Sequence, residues 1–348
     1  MKKKYDCVPL KLLRKIGAEY PKAWEQMDYV RSLHGKETDM NWPDWCWVPM
    51  SAAVTVVMAE HNIYDIGDLP NRYGHDIQAI SALAPWRHSK QVYLFDETLE
   101  DDMVDDLDAA SQIPSDALKM LPYFSVYIKV NHISVFGYEL DGFFSHLEYD
   151  VNSHDSELRF LTVSKDGNQY DGFSVHIDEP TIELAFQRFM KIGIERSRAI
   201  LGDRATGVFS NPIFQKETEV YLKDSEEICR KLLPMVLYLC LDNSDIVYHP
   251  TVHHSTSSNV IKDRYSEIQT WNVGYRIGPA IKRYYDDQAK REGHPGSHTS
   301  KRPHVRRAHY QHYWVGSGDS KHLILKRISE IFVNVNKEDD LPVTIHKT

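Results

Sequence analysis

Four cations, three histidines and three aromatic rings fall within the eighteen residues Lys301-Arg302-Pro303-His304-Val305-Arg306-Arg307-Ala308-His309-Tyr310-Gln311-His312-Tyr313-Trp314-Val315-Gly316-Ser317-Gly318. Guanidinium groups pair bidentately with phosphate or carboxylate, and aromatic faces stack on bases or on mobile peptide side chains. The chemistry on offer is recognition of something anionic or planar. The binding candidates are Lys301, Arg302, His304, Arg306, Arg307, His309, Tyr310, Tyr313 and Trp314. Metal-free phosphodiester cleavage asks for a general base, a general acid and a cation for the developing charge. His304, His309 and His312 beside Arg306 supply those types, but histidines among arginines serve binding surfaces equally well. No catalytic residue is assigned, and a metal-independent ribonuclease stands as an alternative. The chain has no P-loop, no dinucleotide fingerprint, no nucleophile elbow and no His-Glu-x-x-His pair.

Backbone conformation decides which of these residues act together. In a strand, His304, Arg306, Tyr310, His312 and Trp314 share one face, and Arg307, His309 and Tyr313 take the other. In a helix, His309 and His312 become neighbours. Pro303 and the pair Gly316 and Gly318 fit either, and the aromatic and β-branched content favours the strand.

The elements that must carry this segment can be read upstream. Tyr20, Trp24, Met27 and Arg31 recur at helical spacing, with Pro21 in the first turn. Trp42, Trp45 and Trp47 lie between Pro43 and Pro49 and read as a packed loop or short edge strand; Ala52 to Met58 suits either a helix or a buried strand. Gln91–Phe95 reads as a strand, and Asp96–Asp108, with eight acidic residues in thirteen and no basic one, reads as a solvated acidic helix burying Leu99, Met103 and Leu107. As a function, that helix would suit a basic peptide. Residues 123–177 alternate at period two, and Asp141-Gly142 and Asp166-Gly167 read as hairpin turns, so an antiparallel meander is expected. Asp178 or Thr181 caps a helix whose stripe is Ile182, Ala185, Phe186, Phe189 and Met190. Glu217 to Leu241 forms another, and Pro234 kinks it or starts a new one. The fold class expected is α+β, an antiparallel meander packed with helices plus a C-terminal basic-aromatic β segment. The expected divisions are 1–120, mainly helical; 121–200, sheet and helix; and 201–348, helical and basic-aromatic, all in one compact two-lobed unit.

Cys7, Cys46, Cys229 and Cys240 form no Cys-x-x-Cys pair and read as reduced thiols. His249, His253 and His254 fall in a polar loop without a fourth ligand, so neither a metal site nor a cofactor is expected. The basic N-terminus is interrupted at Pro9, Lys11 and Arg14, which does not suit a signal peptide, and the run Met235 to Leu241 is far short of the roughly 20 residues of a membrane span. A cytoplasmic protein is expected. Net charge is −9, yet Lys282 to Arg327 holds 11 Lys/Arg against 4 Asp/Glu, a local +7 on a body of −16. A basic island on an acidic body suits RNA, DNA or an acidic protein surface.

Lys301 to Gly318, followed by Phe332-Val333-Asn334, resembles the C-terminal signature of a type V-A anti-CRISPR family. Leu233-Pro234-Met235-Val236-Leu237-Tyr238-Leu239-Cys240, Gly274-Tyr275-Arg276-Ile277-Gly278 and Arg283-Tyr284 extend the similarity. Trp86-Arg87, Val92-Tyr93-Leu94-Phe95-Asp96-Glu97 and the strand after Leu121-Pro122 follow in a similar order. The resemblance implies recognition of the nascent N-terminal peptide of a type V-A CRISPR effector nuclease and loss of its mRNA during translation. It implies contact with the ribosome or mRNA, and with a host nuclease if the chain does not cut RNA itself. A DNA-binding plasmid regulator is the third reading, and the basic segment shows no helix-turn-helix pattern.

Overall fold

The structure, a computed structural model, describes residues 7–36, 41–69, 71–104, 112–113, 115–201, 212–241, 243–249, 268–292, 304–306, 309–318, 321–328 and 331–333. Helices α1 (Val8–Glu19), α2 (Ala23–Ser32), α3 (Met50–Glu60) and α4 (Gly74–Ser89) precede strand β1 (Gln91–Phe95). Two short helices, α5 (Glu97–Met103) and α6 (Ser115–Leu118), lead into β2 (Ser125–Lys129), β3 (Ser134–Val135), β4 (Tyr138–Tyr149), β5 (Ser156–Ser164) and β6 (Tyr170–His176). Then come α7 (Ile182–Leu201), α8 (Pro212–Leu239), β7 (Ile246–His249), β8 (Gln269–Val273) and α9 (Ile277–Glu292). The last strands are β9 (His304–Arg306), β10 (His309–Val315), β11 (His322–Ile328) and β12 (Ile331–Val333).

The α+β class and the antiparallel meander are present, and β2, β4, β5 and β6 pair antiparallel in that order. The full sheet is larger than the meander. Its order is β6-β5-β4-β2-β1-β8-β7 with β3 on β4, and β1 runs parallel to both β2 and β8. Parallel strands need long crossovers, which is why residues far apart in sequence close this half of the sheet.

Both sheet faces are covered. Leu12, Ile16, Met27, Val57, Ile80, Leu83 and Trp86 from α1 to α4 pack with Tyr127, Phe144, Leu161 and Val163 on one face. On the other, Leu99, Phe186, Leu232 and Val236 pack with Ile128, Phe143, Phe160 and Val175. Burial of an apolar side chain of that size contributes about 1.5–3 kcal/mol, so the two layers hold the sheet between them. Cys46, Cys229 and Cys240 are buried within these layers.

Several local expectations change. Two helices occupy the N-terminus; Tyr20 is not in the first turn of one but closes α1, donating its hydroxyl to Asp76 at 2.7 Å. Ala52 to Met58 resolves as helix within α3, and Trp42 to Pro49 is a loop with Trp42 and Trp47 buried. Asp141-Gly142 is not a turn. Both residues lie inside β4, where a Cβ on Gly142 would fall 2.3 Å from the Ile128 carbonyl oxygen, so this glycine permits close strand approach. The reversal lies instead at Phe136 and Gly137, with φ of 48° and 81°. Asp166-Gly167 does turn, with Gly167 at φ 71°. Thr181 caps α7 by accepting from the Leu184 amide at 3.3 Å, and α8 runs through Pro234. The acidic stretch is helical as α5 with Leu99 and Met103 buried, while Leu107 lies outside the described residues. His253 and His254 also lie outside them.

Candidate functional site

The basic-aromatic segment is built from two strands. β9 pairs with β12, setting His304 opposite Val333 and Arg306 opposite Ile331. β10 pairs with β11, setting His309 opposite Ile328, His312 opposite Leu325 and Trp314 opposite Leu323. Alternation puts Tyr310, His312 and Trp314 at positions on one face of this ribbon and His309 and Tyr313 on the other. The division expected for an extended chain therefore holds within β10, but it does not run from His304 to Trp314, because β9 and β10 belong to separate two-stranded sheets. Within β10, His309 and His312 stand three positions apart along the strand, at positions on opposite faces. Lys301, Arg302 and Arg307 lie outside the described residues. The ribbon turns after Val315 through Gly316 at φ 98°. Its tip exposes Tyr313 at 37%, Trp314 at 72% and Val315 at 39%. The Trp314 ring thus stands largely in solvent on a paired strand.

A second group of residues was missed by sequence reading. Ser125, His146, Arg159 and Ser174 form one cross-strand row over β2, β4, β5 and β6, and Glu148, Glu157 and His176 form the next. Both rows lie on the face that α1 to α4 cover, and nearly all these residues are buried. Arg159 donates to Glu157 at 2.6 Å, the Met50 amide donates to Glu148 Oε1 at 2.5 Å, and Ser81 meets His146 Nε2 at 3.3 Å. Burial pushes the Glu148 carboxyl up to about 8 and the His146 imidazole down to about 3, so both rest neutral near neutral pH. Burial also lowers the pKa of His176. His146 Nδ1, Glu148 Oε2, Arg159 Nε, Ser174 Oγ and His176 Nδ1 have no protein partner among the described residues. Period-two alternation hid the rows, because His and Glu at alternate strand positions read as a solvated face.

The third arrangement lies where β7 and β8 leave the sheet. Asp245, buried, accepts from the Arg276 amide at 2.6 Å, from Arg276 Nε at 2.7 Å and from the Ile277 amide at 3.1 Å. Asp96 caps α5 by accepting from Thr98 and Leu99 amides. Gly274 takes φ 79°, with Leu99 where its side chain would go, and a Cβ on Gly278 would fall 2.0 Å from Asp96 Oδ1. The Gly274-to-Gly278 run is thus a junction that seats α9 against α5. Leu233 to Cys240 is core within and just after α8. Beside the junction, Tyr93, Trp271 and Tyr248 stand in register across β1, β8 and β7, with ring centroids 6.3 Å and 5.1 Å apart.

Among the described residues no group of three or more His, Cys, Asp or Glu side chains is placed to hold a metal ion, and no helix is long and apolar enough to cross a membrane.

The profile of the anti-CRISPR type V subtype A2 family, AcrVA2-like, matches residues 93–335. Protein FinQ of Escherichia coli is 26% identical over 242 residues, which are 64% of this chain and 65% of FinQ. The chain therefore spans about 65% of the length of that curated relative. The crystal structure of AcrVA2 aligns with a TM-score of 0.57 at 18% identity, covering 94% of this chain and 99% of that one, a likeness of fold.

Proposed function

The chain belongs to the anti-CRISPR type V subtype A2 family, and from that premise we propose that it opposes a type V-A CRISPR effector by blocking the effector's synthesis. In this reading it recognises the nascent N-terminal peptide of the effector and brings about loss of the mRNA being translated, with the ribosome, the mRNA or a host nuclease as further partners. The observation that carries the reading is the extent of the family match, which runs from β1 to β12 and includes the junction at Gly274 and the exposed Trp314 tip. The ribbon presents Tyr313 and Trp314 in a segment rich in arginine and histidine, which suits stacking and charge-assisted contact with RNA or peptide.

Transcript abundance of a type V-A effector gene, with and without this protein, tests the proposal. The transcript falls when the gene has its normal start codon and is spared when the start codon is mutated. Loss that persists without translation overturns the reading.

A further inference from the structure

The two edges of the large sheet differ. β6 is buried from Gly172 to His176 and α7 packs against it. β7 exposes Val247 at 43% and Tyr248 at 49%, and among the described residues no strand pairs with its outer side.

The ladder fixes which β7 backbone groups face outward. The Gly274 amide donates to the Asp245 carbonyl, so Asp245 and Gly274 are a hydrogen-bonded pair of the antiparallel ladder. Alternation then gives the inward bonds to Val247 and His249 and turns the N–H and C=O of Tyr248 outward. Natural edge strands are blunted by charges, proline or bulges. Ile246-Val247-Tyr248-His249 carries no charged residue, proline or bulge and has high strand propensity, so its short length, four residues ahead of Pro250, is what limits pairing along this edge. Trp271, next in the aromatic row, keeps its indole N–H buried and without a partner among the described residues.

We infer that the outer edge of β7 is where an extended basic peptide adds as a further strand, bonded to Tyr248 and flanked by Val247 and Tyr248. This rests on the peptide recognition proposed above and gives it a place and a mode. Strand addition suits a chain with free backbone groups, as an unfolded N-terminal segment has. Charge supports a basic one: β7 begins opposite Val273, at the sheet end that also carries α5, where Glu97, Asp101 and Asp102 stand outside the core and only Glu100 is buried, bonded to the Asn131 amide. A second copy of the chain is a poor occupant. Two β7 strands would join only four residues from each copy, well below the roughly 800 Å² per partner of a stable interface.

Tyr248→Pro removes the outward N–H and leaves the inward ladder intact, whereas Tyr248→Val keeps the N–H. A fluorescent synthetic peptide of the effector's N-terminal residues serves as probe for the full chain. Tyr248→Pro is expected to weaken its binding roughly tenfold or more and Tyr248→Val by less. Added peptide is expected to slow hydrogen exchange at the Tyr248 amide of the unsubstituted protein, a measurement independent of whether the proline variant folds. Peptide binding without that protection, or with equal affinity for both variants, overturns the edge assignment and leaves the proposed function standing. No binding by the unsubstituted protein overturns both. A Tyr248 amide already protected in the free monomer, or a dimer dispersed by Tyr248→Pro, gives the edge to this chain itself and overturns the inference.

Discussion

Glu148 is a carboxyl fixed between strands and held against the start of α3. Its folded pKa of about 8 lies above the ordinary carboxyl value, so the folded chain binds a proton that the unfolded chain has released. Stability therefore declines as pH rises from about 4.5 through about 8, where the buried charge appears, by on the order of 5 kcal/mol. His146 works in the opposite direction. With its folded pKa down at about 3, it resists a proton that the unfolded chain accepts, and stability falls as pH drops below about 6.5. Glu148→Gln keeps an acceptor for the Met50 amide and removes the titration. Thermal unfolding of the variant is expected to change little between pH 6 and pH 9 (roughly the alkaline side of this range), while the unsubstituted protein loses several degrees. Parallel curves would assign the alkaline loss to other groups.

At the scale of elements, the junction of α5, β8 and α9 makes a measurable prediction. Gly278→Ala drives a methyl into the Asp96 carboxylate and is expected to cost about 1–3 kcal/mol. Asp96→Ala removes the α5 cap and is expected to cost about 0.5–2 kcal/mol. The double variant has no carboxylate to strike, so denaturant unfolding should show it less destabilised than the two single losses combined. Additive losses would mean that α9 does not press on Asp96. The sequence made some of these elements legible and hid others for physical reasons. Gly167 announced its turn because Asp-Gly there supplies the positive φ of 71° that the reversal needs. Gly142 carried the same dipeptide but was needed for its missing side chain, a demand that only the neighbouring Tyr127 and Ile128 reveal. The α1 helix was overlooked because Tyr20 suited a following helix as well as the end of a preceding one. The parallel pairing of β1 with β8 left no local trace, since it joins residues with no sequence proximity. At the candidate site, residue types in β10 pointed to strand and the strand is there, whereas its separation from β9 was invisible to alternation counted straight through residues 307 and 308.

For the molecule as a whole, the +7 stretch from Lys282 to Arg327 is set on a body of −16. Replacing Arg306 and Arg307 together with alanine is expected to abolish transcript loss in cells. Read from the sequence as solvent-facing charges, the two together should alter stability by under about 1 kcal/mol, since exposed charge changes each usually stay within about 0.5 kcal/mol. A fall in melting temperature matching the loss of function would make these arginines part of the scaffold instead. The β1 pairing has a consequence in time. Val92 takes its partner at Thr270, made roughly 180 residues later. At ribosomal rates of about 5–20 residues per second, one side of β1 stays without its neighbour for on the order of ten seconds or more. During that interval the meander can assemble on the opposite side of β1, but the sheet cannot close. The protein therefore reaches its own finished form only after the last third of its chain has left the ribosome, and a product released before Val273 would carry a bare central strand.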